Sequence, residues 1–116
     1  MAIEIAVENQ AGLQIIRLKG RLDTMDVPTL EERFKRTLAE GCQKVIVECS
    51  ELRYVGSIGL GIFISSGKAL ASQGGKLCFA GLTEHVRSVF EMVGFYTLFE
   101  VFPTLAEALN AMSSQR

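Results

Sequence analysis

The stretch VIVECSELRYVGSIGLGIF, Val45 to Phe63, decides how the rest of the chain is read. It opens with the consecutive β-branched residues Val45, Ile46 and Val47, without polar alternation, which is the pattern of a central strand covered on both faces. It closes, from Ile58 onward, with apolar residues at helical spacing. Gly56, Gly59 and Gly61 stand between, where a chain leaving a strand must turn tightly and pack closely to enter a helix. A strand running at once into a helix predicts a strand-helix-strand unit, and Lys76 to Ala80, KLCFA, supplies the second buried strand.

Toward the N-terminus, Ile3, Ile5 and Val7 alternate with Glu4, Ala6 and Glu8, and after the NQAG turn Leu13 and Ile15 alternate with Gln14. The two runs predict an antiparallel hairpin. Their alternation slips at Ile15-Ile16, which calls for a bulge or for a strand buried on both faces. In DVPTLEERFKRTLAEG, the residues Val27, Leu30, Phe34 and Leu38 form one helical stripe, with Asp26 as cap, Pro28 in the first turn and Gly41 as stop. TEHVRSVFEMVG reads as a further helix, with Thr83 as cap, Val86, Val89, Phe90 and Val93 as its stripe, and Gly94 as stop. A short strand LFEVF follows, and then TLAE, a capping box through Thr104 and Glu107. The last helix buries Leu105, Ala108, Leu109 and Met112. The order β-β-α-β-α-β-α-β-α predicts a small mixed α/β sheet, mostly parallel, with an N-terminal antiparallel hairpin and about four α-helices. Residues 1–112 are expected to form a single domain and residues 113–116 a short flexible tail.

A chain of 116 residues, 48% of them apolar, has material for one core. Its 12 basic and 13 acidic side chains nearly cancel and form no block of like charge, so nothing calls for nucleic acid as a partner. No apolar run approaches the ~18 residues of a membrane span, and the alternating MAIEIAVENQ does not read as a signal peptide. A cytoplasmic protein without membrane insertion is expected. Cys42, Cys49 and Cys78 are odd in number, lack C-x-x-C spacing and lie beside or within apolar strands, which suits buried thiols and not a disulfide framework or a zinc site.

The glycine turn invites two chemical readings, and its spacing fits neither. Gly56, Gly59 and Gly61 run G-x-x-G-x-G, not the dinucleotide G-x-G-x-x-G, and no G-K-[ST] follows. Ser57 is flanked as V-G-S-I-G, not as the G-x-S-x-G of a nucleophile elbow, and the single histidine, His85, reads as a solvated residue beside Glu84 and Arg87. No catalytic residue, cofactor or metal is expected. Ser57 fits two plainer roles: helix capping, or an exposed hydroxyl open to phosphorylation at a helix N-terminus that tolerates the added charge. On the helix, Leu60, Phe63, Ile64, Gly67, Leu70 and Ala71 share one face, while Ile58, Ile62 and Ala69 fall nearly opposite with Ser65 and Ser66. Ile58 and Ile62 then either form a docking patch beside Ser57 or pack against a neighbouring helix.

Together, GRLD, VIVECSELRYVGSIGLGIF, GGKLCFAG, VRSVFEMVGFYTLFEVF and the final TLAEAL resemble, over nearly the whole chain, a STAS domain of the anti-sigma-factor antagonist type. The resemblance implies the STAS fold and a bacterial partner-switching protein. Such a protein binds an anti-sigma factor that is also a serine kinase, is switched off by phosphorylation, and is restored by a serine phosphatase. It implies Ser57 as phosphoacceptor and Asp23, Thr24, Gly56, Ser57, Ile58, Gly59, Gly61 and Ile62 as the partner-binding residues. The family's D-S-[ST]-G-L-G motif is met at Ser57, Gly59, Leu60 and Gly61; Gly56 stands in place of its aspartate and Ile58 in place of its second hydroxyl residue. A homodimer through the Ile58/Ile62 face is a further expectation. The alternative is a phosphorylation-independent STAS adaptor in a signalling or lipid-transport assembly.

Overall fold

The computed structural model describes residues 2–10 and 12–113. Strands β1 (Glu4–Gln10) and β2 (Leu13–Leu22) form the hairpin, and a 3-10 turn (Thr24–Asp26) leads into α1 (Val27–Ala39). Next come β3 (Lys44–Val55), α2 (Ser57–Ser72), β4 (Lys76–Ala80), α3 (Glu84–Met92), a 3-10 turn (Phe95–Thr97), β5 (Glu100–Phe102) and α4 (Leu105–Ser113). The strands lie side by side in chain order, β1 antiparallel to β2 and the remaining neighbours parallel.

The unbroken apolar run of β3 serves two cores. Val45 and Val47 join Leu30 and Phe34 of α1, Leu60, Phe63 and Leu70 of α2, and Val86 and Phe90 of α3 on one side of the sheet. Ile46 faces a smaller cluster with Leu13, Ile15, Cys78, Ala80, and Ala108 and Met112 of α4. Two-sided burial also explains the slip at Ile15-Ile16, since Ile15 lies in the smaller core and Ile16 in the larger while pairing with β1 continues through both. The irregularities of β2 come later, between Arg17 and Lys19 and between Gly20 and Arg21, where it pairs with β3.

Helix α2 is held close to the sheet by Gly-Phe-Gly at four-residue intervals, Gly59, Phe63 and Gly67. Phe63 is fully buried and meets Phe79 of β4 edge-on at 5.0 Å. A Cβ on Gly59 would lie 2.7 Å from Leu22 Cδ2 and 3.2 Å from Val55 Cγ2, and one on Gly67 would collide with the Phe99 ring. The spacing of the two glycines, not their backbone freedom, sets how near the helix lies.

Several local expectations are corrected. Asp26 precedes α1 but does not cap it with its side chain; its carboxylate accepts hydrogen bonds from the backbone N–H groups of Ile3 (3.1 Å) and Asp23 (3.3 Å). The Thr83 hydroxyl likewise donates to the Leu52 carbonyl (2.8 Å) and leaves the α3 amides alone, pinning that helix to β3. Val93, expected in the α3 stripe, is 51% exposed because the helix ends at Met92 and Gly94 turns the chain with φ +73°. Thr104 does accept from the Glu107 N–H (3.2 Å), which is one of the two bonds of the expected capping box. Ser113, expected in the tail, closes α4, and residues 114–116 lie outside the described residues.

Candidate docking and modification site

Two parallel strands end side by side and deliver the candidate residues to one place. Leu22, the last residue of β2, pairs with Val55, the last of β3, and the Gly56 N–H donates to the Leu22 carbonyl (3.1 Å). Asp23 and Ser57 therefore leave adjacent strand ends at the carboxyl edge of the sheet, where α/β proteins place their sites. Gly56 is extended (φ −89°, ψ 171°) and occupies the cap position of α2; Ser57 is the first helical residue. The first intrahelical bond is Leu60 N–H to the Gly56 carbonyl (3.1 Å), so the amides of Ser57, Ile58 and Gly59 precede it, and no side chain caps them.

This settles what the Ser57 hydroxyl does within the fold. It is not the helix cap, it is exposed, and it makes no hydrogen bond to another described residue. The cap residue, Gly56, has no positive φ, and a Cβ there would meet only ordinary contacts, the nearest being Tyr54 Oη at 3.6 Å. Glycine at 56 is thus not a steric necessity.

The remaining candidates sort by exposure. Thr24 and Gly61 are exposed, Asp23 and Gly56 partly so, and Ile58 is 52% exposed. Ile62 is half-buried and packs against the larger core, which leaves Ile58 as the projecting isoleucine of the pair. Gly59 is buried against Leu22 and Val55, so it bears on this surface by fixing the helix position and not by contact. A Cβ on Gly61 would meet nothing within 4 Å. Ser66, placed by its helical angle on the outer face, is instead buried beside Gly59 and Phe63 on the inner one.

Sequence reasoning did not single out three neighbours, Met25, Arg21 and Tyr54, and read a fourth, His85, only as a solvated residue. Met25, in the turn after Asp23, is 89% exposed. Its only signal was an apolar residue in DTMD outside the α1 stripe. Arg21 of β2 pairs in register with Tyr54 of β3; its guanidinium carbon lies 4.3 Å from the Tyr54 ring centroid and its Nε 3.4 Å from Asp23 Oδ2. His85, from the first turn of α3, stacks on the same ring at 5.5 Å and 18°. Its partner is therefore a tyrosine face, and no hydrogen bond joins it to Ser57. Among the described residues no cluster of three or more His, Cys, Asp or Glu offers a metal site, and no helix is long and apolar enough to cross a membrane.

The chain is similar to known proteins in sequence and in fold. The anti-sigma-B factor antagonist of Staphylococcus aureus is 29% identical over 101 residues, covering 87% of this chain and 94% of that protein. The crystal structure of an anti-sigma factor antagonist from Mycobacterium paratuberculosis superposes with a TM-score of 0.89 at 24% identity, over 97% of this chain and 95% of that one. The anti-sigma factor antagonist SpoIIAA in its unphosphorylated form gives 0.84 at 21% identity, over 97% and 99%. The Bacillus cell fate determinant SpoIIAA in its phosphorylated form gives 0.75 at 21% identity, over 93% and 98%. These structures share the fold, a five-stranded mixed sheet with four helices. The family model for the STAS domain matches residues 4–108, so that sheet, helix order and sequence agree along almost the whole chain, which belongs to the STAS domain family.

Proposed function

We propose that this chain is a cytoplasmic anti-sigma factor antagonist in a bacterial partner-switching system. It binds an anti-sigma factor with serine kinase activity through the surface around Asp23, Thr24, Gly56, Ser57, Ile58, Gly61 and Ile62, with Gly59 setting the helix position. Phosphorylation of Ser57 releases it, and a serine phosphatase restores it. In the transfer, Ser57 Oγ forms a bond to the γ-phosphorus of ATP, the bond to the bridging oxygen breaks, ADP leaves, and the hydroxyl proton passes to the kinase or solvent. The chain is the substrate and contributes no catalytic group.

The observation that carries the reading is the state of Ser57: exposed, first in α2, hydrogen-bonded to no described residue, and ahead of helix amides that no side chain caps. A phosphate there adds about −1.5 to −2 charges where the helix dipole is positive, so the domain stays folded while its surface gains negative charge. Ile58, half exposed beside it, supplies the apolar contact of a docking surface. The similarity to the S. aureus antagonist over 87% of the chain supports the same partner class.

Incubation with the cognate anti-sigma kinase and ATP, followed by intact-mass measurement, tests the site. One phosphate is expected on the wild type and none on Ser57→Ala; equal labelling of both removes Ser57 from the role. The adaptor reading takes over if partner affinity is the same for wild type and Ser57→Asp.

A further inference from the structure

We propose that Arg21 is the counter-ion of a phosphate on Ser57, and that the phosphate takes it from Asp23. The inference rests on the reading of Ser57 as phosphoacceptor and adds the residue that senses the modification. Arg21 is already poised at the site without belonging to the expected docking residues. Its guanidinium lies over the Tyr54 ring, and that ring reaches the α2 cap, with Oη and Cε2 at 3.6 and 3.7 Å from where a Gly56 Cβ would stand. The Tyr54 ring thus borders both the guanidinium and Gly56, the residue directly before Ser57. His85 of α3 stacks on the same ring, so neighbouring elements hold the shelf on which Arg21 rests.

The exchange has a favourable direction. Arg21 is exposed and Asp23 partly so, and at 3.4 Å their single-contact pair is of the weak surface kind. A phosphate offers more charge and a fork of oxygens that matches a guanidinium in two-point geometry. The Asp23 carboxylate is then left beside a new dianion of its own sign. Asp23 opens the Thr24–Asp26 turn, which Asp26 holds through the Asp23 N–H (3.3 Å) and the Ile3 N–H (3.1 Å). Phosphorylation thereby bears on Thr24 and the projecting Met25 as well as on charge, so a partner resting on this turn meets a changed surface.

The test uses the full chain with phosphoserine installed at position 57 during translation, and needs no kinase, phosphatase or partner. The second ionisation of the phosphate is followed by phosphorus NMR against pH in wild type and in Arg21→Gln. Arg21 is exposed, so its replacement leaves the fold intact. The midpoint is expected to lie lower in wild type than in Arg21→Gln by about half a unit or more, with Arg21→Lys between them. Helix amides act equally in all three proteins and cancel. The comparison is repeated in a His85→Gln background, where the difference should persist, and with phosphoserine at the exposed Ser65, where it should vanish. Coincident midpoints in wild type and Arg21→Gln overturn the proposal, as does an equal shift at position 65. Either outcome leaves the kinase test of Ser57 untouched, and a chain that no kinase modifies leaves the titration result standing.

Discussion

Gly59 and Gly61, two residues apart in one helix, should respond oppositely to alanine. Both replacements gain the same helix propensity, roughly 1 kcal/mol relative to glycine. At Gly61 the added methyl meets nothing within 4 Å, so that gain should appear nearly whole. At Gly59 the methyl would lie 2.7 and 2.9 Å from Leu22 Cδ2 and Cγ and 3.2 Å from Val55 Cγ2. Leu22 is fully buried and Val55 nearly so, so neither yields without shifting other core residues. Overpacking of this kind costs about 1–3 kcal/mol. Propensity cancels in the difference between the two variants, which isolates the overpacking: Gly59→Ala should be about 1–3 kcal/mol less stable than Gly61→Ala. Urea unfolding at unchanged m-value measures it. Equal midpoints would refute the claim that Gly59 is required for the close approach of α2 to the ends of β2 and β3.

Other perturbations bear on the same region. Gly56→Asp places a carboxylate at an uncapped helix N-terminus with only ordinary contacts, and should raise stability by about 0.5 kcal/mol in thermal or urea unfolding. Ile58→Ser should leave stability within about 0.5 kcal/mol, since the residue is 52% exposed, while weakening the partner complex about tenfold in calorimetry. Burial pushes the Cys78 thiol from its ordinary 9.0 up to about 12 and raises that of Cys49 as well, with Glu100 and Glu48 respectively adding to the rise. A raised thiol pKa means that the native state keeps its proton while the unfolded chain loses it. The stability it supports is whole below pH 9 and is lost as pH climbs toward the folded value. The unfolding free energy measured in urea should fall between pH 9 and pH 10 by about 1 kcal/mol for each thiol, and fall less in a Cys49→Ala, Cys78→Ala variant.

Periodicity made the fold legible because the two cores write themselves into β3 and β4: Val45 and Val47 against Ile46, Leu77 and Phe79 against Cys78. Caps were less legible, since a side chain such as Asp26 or Thr83 has several backbone partners within reach and tertiary packing chooses among them. Ser57 was legible as a motif residue, yet its freedom from capping was not, because G-S before a helix is compatible with either residue as cap. The Arg21, Tyr54 and His85 stack joins three elements across 64 positions of sequence and depends on the register that sets Arg21 beside Tyr54, which no local pattern encodes. Ser66 shows the limit of an angular reading: Ser57, Ser65, Lys68 and Ser72 keep the exposed face of α2, while Ser66 lies at its border, between Ile62 and Leu70 around the helix, and is buried.

The central claim is that a phosphate on Ser57 governs the partner complex. Calorimetric titration of the cognate anti-sigma factor with the unmodified chain, and with the chain carrying phosphoserine at position 57, tests it most directly. The unmodified chain should bind and the phosphorylated one bind at least tenfold more weakly, a difference of ~1.4 kcal/mol. Equal affinities would contradict the switch.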